Sequence, residues 1–397
     1  MADRDVSPDD RLLTQIFTRL PETTSIFLQD WDKCVFKAEF PHRACVVRLE
    51  AESENLKHFP TIAAIQQIAA HVVPDLVPQT FQVGKAENAQ GRMFHFSVTE
   101  IVEGELLEDV WQQLSTDEQN SVVAELVGAL EKFHSIRLGD VGVREILNRT
   151  LREDERLESS EQAQAFGGPH TGFLNDGHGL LGAVMERQKL NKPFCCMEPL
   201  VDTQDIGIRS SFEELGSVVI RNSDIEKWPA EAVLCHNDLN PRNLILRSCV
   251  TPDGKSEYKL AGIIDWELAG FYPASYELSL QDTYLGGANR HVSFYLLLKE
   301  KMRNLVPQSS SQIVLLQAME LVNESRERLL SDGNNIGAHI RKRFLEYSML
   351  ERDDDPCLGW TRSPLGGPLL EYSSAEFQKL EDDVVEEMVA KRKAKAA

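Results

Sequence analysis

The sequence predicts an α+β protein in two parts, a small antiparallel-sheet lobe followed by a larger, mainly helical one. Three observations carry this. Between Ser25 and Val102, short runs of β-branched and aromatic residues alternate with polar turns and enclose one helical pattern. After Gly104, apolar residues recur at helical spacing over much of the chain. Finally, the stretch 234–246, LCHNDLNPRNLIL, crowds polar and charged side chains between two apolar runs, more of them than a tight turn requires.

Taken in order, Ser25–Leu28 is a first strand that leads through the polar turn Gln29–Lys33 into Cys34–Phe40. That strand and Ala44–Leu49 flank Pro41–Arg43, which predicts a hairpin. A helix follows from Phe59, with Ile62, Ile65, Ile68, Ala69 and Val72 on one face and Pro74 marking its end. Thr80–Gly84 and Arg92–Val102 read as two more strands across a turn rich in Gly and Asn. Residues 1–104 therefore form one lobe and 105–397 the other. In the second lobe, Ser115 to Glu118 is a capping-box pattern. It opens a helix whose apolar face is Val122, Val123, Leu126, Val127, Leu130 and Phe133. His134 beside that face reads as a buried structural histidine.

Residues 139–230 are less informative. FGGPHTGFLNDGHGLLG reads as a loop with functional potential, and no tight ligand spacing makes His170 and His178 a metal pair. Helices dominate from Tyr284 to Leu350, and a polar amphipathic helix follows Tyr372. Its KRKAKAA end suits the helix dipole better than a targeting role.

Composition narrows the partners. A net charge of −21 disfavours nucleic acid; it would suit a cationic small molecule, although acidic surfaces commonly serve solubility alone. Seven cysteines without a CxxC pair argue against a disulfide framework and a zinc site. No apolar run is long enough to span a bilayer, and MADRDVSPDD lacks the apolar core of a secretory signal, so a cytosolic protein is expected. Oligomeric state is not legible.

The chemistry is concentrated in the crowded loop. His236 to Asn243 fits H-x-D-x-x-x-x-N, in which an Asp takes or orients the proton of an attacking hydroxyl and an Asn five residues on holds Mg²⁺. His236 would pack beneath the loop. Downstream, Leu244–Cys249 and Tyr258–Ile264 read as a hairpin around Pro252–Lys255. Its second strand ends in Asp265, within 263–267, and sets a carboxylate beside Asn243, the hard oxygen set that Mg²⁺ prefers.

VLCHNDLNPRNLIL and AGIIDWELAGFYPASYEL together resemble the aminoglycoside phosphotransferase and choline kinase family, which shares the bilobal protein kinase-like fold and phosphorylates small molecules. The resemblance runs over roughly residues 20–290, with a divergent middle. It implies that Asp238 is the catalytic base, that Asn243 and Asp265 are metal ligands, and that Glu277 braces the second lobe. It also implies that Arg48 stands where the family has a lysine against the ATP phosphates, and that the Glu100 carbonyl and Val102 amide meet adenine. Arg48 as a solvated strand charge is the competing reading. Trp266 and Glu267 read as packing and orienting residues, while Asn240 and Arg242 could touch phosphate or only stabilise the turn.

The chain departs from the family in two places. The helix that should offer a Glu to the cation has none; Gln66 is its polar candidate, and Glu52 and Glu54 precede it. There is no GxGxxG, so the turn Gln29–Lys33 would have to cover the phosphates. The expected activity is ATP- and Mg²⁺-dependent transfer to a small-molecule hydroxyl, with acceptor specificity in 139–230 and 284–370. One alternative is a non-catalytic nucleotide-binding pseudokinase or scaffold. A protein kinase is a weaker one, because DWE replaces D-F-G and little chain is left for an activation loop.

Overall fold

The computed structural model describes residues 6–52, 59–150, 166–250, 254, 256–367 and 369–396. The first lobe comprises α1 (Asp10–Ile16), β1 (Thr23–Gln29), β2 (Lys33–Phe40), β3 (Arg43–Ala51), α2 (Phe59–Val72), β4 (Thr80–Glu87) and β5 (Met93–Glu100). Its strands make one antiparallel sheet in the order β1-β2-β3-β5-β4.

Strand alternation gives this sheet two different faces. Cys34, Phe36 and Ala38 of β2, Cys45, Val47 and Leu49 of β3, and Phe94, Phe96 and Val98 of β5 are buried on one face. They form a single core with Leu12, Leu13 and Ile16 of α1. The period of two leaves Lys33, Val35, Arg48 and Glu50 on the opposite face, toward the second lobe. α1 was not expected from the sequence, because its seven residues are too few to show periodicity.

The lobes are joined by a short strand, β6 (Glu105–Leu106), which leaves the first sheet and pairs with β13 (Leu244–Val250) directly after the crowded loop. Gly104 makes this approach possible. Its φ is +150°, and a Cβ there would sit 2.2 Å from the Leu246 carbonyl oxygen. Gly104→Ala is therefore expected to cost roughly 1–3 kcal/mol, read as a lower thermal midpoint, because backbone rather than a flexible side chain must yield.

The rest of the second lobe begins with α3 (Leu107–Val110), α4 (Thr116–Phe133) and α5 (Val141–Thr150). Ser115 and Glu118 close the expected capping box on α4. Next come the hairpin β7 (Phe166–Gly168) and β8 (Gly172–Leu174), then α6 (Gly177–Arg187). The segment read as a loop from the sequence is thus a hairpin and a helix start, the helix capped by Asp176. β9 (Cys195–Pro199), β10 (Ile206–Ser210) and β11 (Ser217–Ile220) form a three-stranded antiparallel sheet.

After α7 (Asn222–Ile225) and α8 (Trp228–Glu231) come the strands that frame the site: β12 (Val233–Cys235), β13, β14 (Ser256–Ile263) and β15 (Gly270–Tyr272). The Pro252–Lys255 turn expected between β13 and β14 lies, apart from Gly254, outside the described residues. The chain ends in α9 (Ala274–Tyr284), α10 (Val292–Met302), α11 (Ser310–Asp332), α12 (Ile336–Tyr347), the hairpin β16 (Leu350–Arg352) and β17 (Trp360–Arg362), and α13 (Ser374–Ala396). Val122, Val123, Leu126, Leu130 and Phe133 of α4 join Leu234, Leu260, Ile263 and Trp266 in the main core, so the strands that frame the loop rest on a rigid floor. All seven cysteines are free thiols. No helix among the described residues is long and apolar enough to cross a membrane.

Candidate active site

The loop between β12 and β13 is built around a buried carboxylate. Glu277 of α9 is fully buried, and its Oε1 accepts the backbone amides of His236 (2.6 Å) and Asn237 (2.9 Å). Its Oε2 faces His134 Nε2 at 3.1 Å. Burial alone would raise the Glu277 carboxyl; the His134 hydrogen bond and the Asn237 amide outweigh it and hold the group below the usual carboxylate range. His134 is thus the structural histidine that its place beside the helix face suggested, and Glu277 is the brace.

His236 is also fully buried, edge-on to Trp266 at 4.7 Å. Its Nδ1 accepts the Asp238 amide at 3.2 Å and its Nε2 lies 3.0 Å from the Ile264 carbonyl. An amide can only donate and a carbonyl can only accept, so the ring is the neutral tautomer with its proton on Nε2. Burial pushes its pKa down, consistent with a neutral ring. Asn237 takes a left-handed conformation, φ +61°, which an asparagine tolerates better than most residues. Its Nδ2 donates to the Leu268 carbonyl and its own carbonyl accepts the Tyr284 hydroxyl.

This bracing leaves Asp238 partly exposed, with both carboxylate oxygens held. Asn240 Nδ2 donates to Oδ1 at 2.8 Å and Asn243 Nδ2 to Oδ2 at 2.7 Å. Burial, the largest effect, and the Asp265 charge push the Asp238 pKa up against the hydrogen bonds from the two asparagine amides. Asn240 also accepts the Arg242 amide, so this asparagine both stabilises the turn and orients Asp238.

Asp265 comes beside Asn243 through backbone. β13 and β14 pair with Leu244 opposite Ile263, and the Ile264 amide donates to the Asn243 carbonyl at 2.9 Å. Asp265 then turns into the left-handed region, φ +63°, a conformation rare for a residue with a side chain. It is a strained turn at the position the sequence singled out.

Arg48 reaches this point from the opposite lobe. Its Nη1 donates to Asp265 Oδ1 at 3.1 Å, its Nε to Glu50 Oε1 at 2.6 Å, and its Nη2 to Glu267. The Phe59 ring of α2 lies 5.7 Å from the guanidinium carbon. Burial would lower the Arg48 pKa, but the Glu267, Asp265 and Glu50 charges raise it, so the guanidinium stays charged. Burial likewise opposes ionisation of Glu267, and Arg48 and Lys33 reverse the balance and lower its pKa. Arg48 is therefore no solvated strand charge.

Other expectations fare differently. Gln66 does not meet the cation; it is buried in α2 and donates to the Pro78 carbonyl at 2.6 Å. Glu52 pairs with Lys85 instead, and Glu54 lies outside the described residues. Besides Asp265, the partners of Arg48 are Glu50, two residues along its own strand, and Glu267, neither of which was expected from the sequence. Glu100 ends β5, its carboxylate accepting the Gln79 amide at 3.2 Å. Val102 packs over Gly262, where a Cβ would sit 2.7 Å from Val102 Cγ1. The connection after Glu100 thus sets Val102 against β14, which ends at Ile263, two residues before Asp265. The turn after β1 is tied back, with the Asp32 carbonyl accepting the Ala51 amide and the Asp30 carbonyl accepting the Val6 amide.

A family model described as the phosphotransferase enzyme family matches residues 23–174 and 201–285, more than half of the chain. The chain belongs to this phosphotransferase family. The two matched blocks hold Arg48, Glu100, Val102, Asp238, Asn243, Asp265 and Glu277; the unmatched gap between them falls on α6, β9 and the segment joining them. Among solved structures, a thermostable mutant of aminoglycoside phosphotransferase APH(4)-Ia, in ternary complex with AMP-PNP and hygromycin B, is 13% identical with a TM-score of 0.48. That likeness covers 84% of this chain and 95% of the other. Spectinomycin phosphotransferase APH(9)-Ia, in complex with ADP and spectinomycin, is 12% identical with a TM-score of 0.40, covering 87% and 95%. No curated protein sequence matches significantly.

Proposed function

We propose that this member of the phosphotransferase family transfers the γ-phosphoryl group of ATP to a hydroxyl of a small molecule, with Mg²⁺ as cofactor. The observation that carries the reading is the convergence of Asp238, Asn243 and Asp265. One backbone hydrogen bond, from the Ile264 amide to the Asn243 carbonyl, joins the loop to the strand end. The donor set fits Mg²⁺: an amide oxygen and a carboxylate are hard oxygen ligands, and Asp265 already attracts a cationic group through Oδ1. Asn243 and Asp265 would hold the ion, which when bound draws charge from the phosphate oxygens.

The protein's own residues do the rest. Asp238 accepts the acceptor hydroxyl's proton as the new O–P bond forms and the bond from γ-phosphorus to the bridging oxygen breaks, releasing ADP. Asn240 and Asn243 keep its carboxylate aimed, and His236 and Glu277 fix the backbone beneath. The Glu100 carbonyl and Val102 amide are the adenine contacts in this reading. Arg48 sets its positive charge beside Asp265, and the acceptor meets residues of 139–230 and 284–370.

A second reading is favoured by one observation. Arg48 occupies Asp265, as a nucleotide-binding scaffold without turnover could afford. Incubating the protein with ATP, Mg²⁺ and a panel of hydroxylated metabolites, followed by mass spectrometry, separates the two. A product heavier by one phosphoryl group is expected, and its formation should cease when EDTA removes the metal. ATP binding without turnover on any member of a broad panel would favour the scaffold.

A further inference from the structure

Arg48 is the residue the family resemblance places against the phosphates, yet its donors are already committed. Nε binds Glu50, Nη1 binds Asp265, and Nη2 binds both Glu50 and Glu267. Three carboxylates from two lobes surround one guanidinium whose side chain is 19% exposed. A planar fork of five donors suits such bridging, and a group held this way has little left to offer an incoming triphosphate.

A second cation stands beside it. Lys33 opens β2 immediately after the turn 30–32, and its carbonyl accepts the Asp30 amide. It pairs in register with Glu50 of β3, and alternation puts it on the same cleft-facing side as Arg48. Its Nζ is 3.8 Å from Glu50 Oε1 and 3.9 Å from Glu267 Oε2, beyond the range of a hydrogen bond. Lys33 thus feels both carboxylates without a short bond to either, and its ammonium, on a flexible stem, has donors to turn toward a ligand.

We propose that Lys33, rather than Arg48, meets the β- and γ-phosphate oxygens of the nucleotide. Arg48 is a positioning residue that fastens Glu50 on the sheet to Asp265 and Glu267 on the second lobe. The division of labour rests on the phosphotransferase reading above, since it presupposes a nucleoside triphosphate in this cleft. It also accounts for the missing helix glutamate. Glu50 and Glu267 take up the guanidinium, so α2 has no cation to hold and Gln66 is free to bind Pro78.

The test is a calorimetric titration of ATP with Mg²⁺, and separately of adenosine, into wild-type protein and the variants Lys33→Met, Lys33→Arg and Arg48→Met. Lys33→Met should weaken ATP by about 10- to 100-fold while adenosine stays within about twofold. Its thermal midpoint should be unchanged, and Lys33→Arg should recover most of the loss. Arg48→Met should instead lower the thermal midpoint, because it leaves three carboxylates without their shared cation. Should Lys33→Met not fold, Lys33→Gln gives the same readout. Wild-type ATP affinity in the folded variant, or an equal loss for ATP and adenosine, overturns the proposal while the phosphotransferase reading stands. A wild-type protein that binds no ATP overturns both.

Discussion

Replacing Asp238 with asparagine should reduce phosphoryl transfer from ATP by about 10²–10⁴-fold, the range a positioned general base contributes, with little change in thermal midpoint. The substitution keeps the size of a side chain that lies partly exposed at the cleft. It also keeps one oxygen for one of the two amides that now hold the carboxylate, Asn240 and Asn243. What disappears is the charge that receives the hydroxyl proton. Nucleotide affinity should stay within about threefold, because the proposed adenine and phosphate contacts lie elsewhere. Loss of turnover with binding retained is the signature; a variant turning over at the wild-type rate removes Asp238 from the mechanism.

The same carboxylate sets the acid limb of the pH profile. Burial and the neighbouring Asp265 charge raise its pKa. A raised pKa means the protonated, inactive form persists to higher pH than for an ordinary aspartate. Activity therefore falls on acidification at a pH above the usual carboxylate range and recovers as pH rises through the group's own pKa. His236 does not set this limb, since burial holds it neutral and its two nitrogens are both engaged.

What the sequence revealed depended on whether a contact is local. Asp238 and Asn243 share one loop, and Asp265 follows from the hairpin that leaves it, so spacing and strand pattern were enough to bring them together. The Ser115–Glu118 box and the apolar face of α4 are likewise written in consecutive residues. The partners of Arg48 were harder because Glu267 comes from the far lobe, 219 positions along the chain. Glu50 was legible in principle, because two residues along a strand share a face, although the family pattern places the partner of the cation on the helix. Lys33 needed the β2–β3 register, which places it opposite Glu50. The strands of 166–220 have three to five residues each, too short for alternation to stand out from a Gly-rich loop.

Glu277→Ala should be the most destabilising of these changes, by roughly 3–5 kcal/mol, the cost of removing one partner from a buried charged network. The loss leaves the His236 and Asn237 amides without an acceptor in a fully buried site, and His134 without its carboxylate. Activity should fall in parallel, because those two amides anchor the residues immediately before Asp238. Glu277→Gln retains an oxygen for the amides but sets an amide group against donors, so an intermediate loss is expected. The pH dependence gives an independent check. The folded-state pKa of Glu277 lies below its unfolded value, so its stabilisation is fully present above the unfolded pKa. It is lost as pH falls through the folded pKa. Denaturant midpoints for wild type and Glu277→Gln should therefore converge as pH falls below the ordinary glutamate range and reach their full separation once pH has risen to that range. A constant gap between them across that interval would mean that the carboxylate charge does not hold the loop.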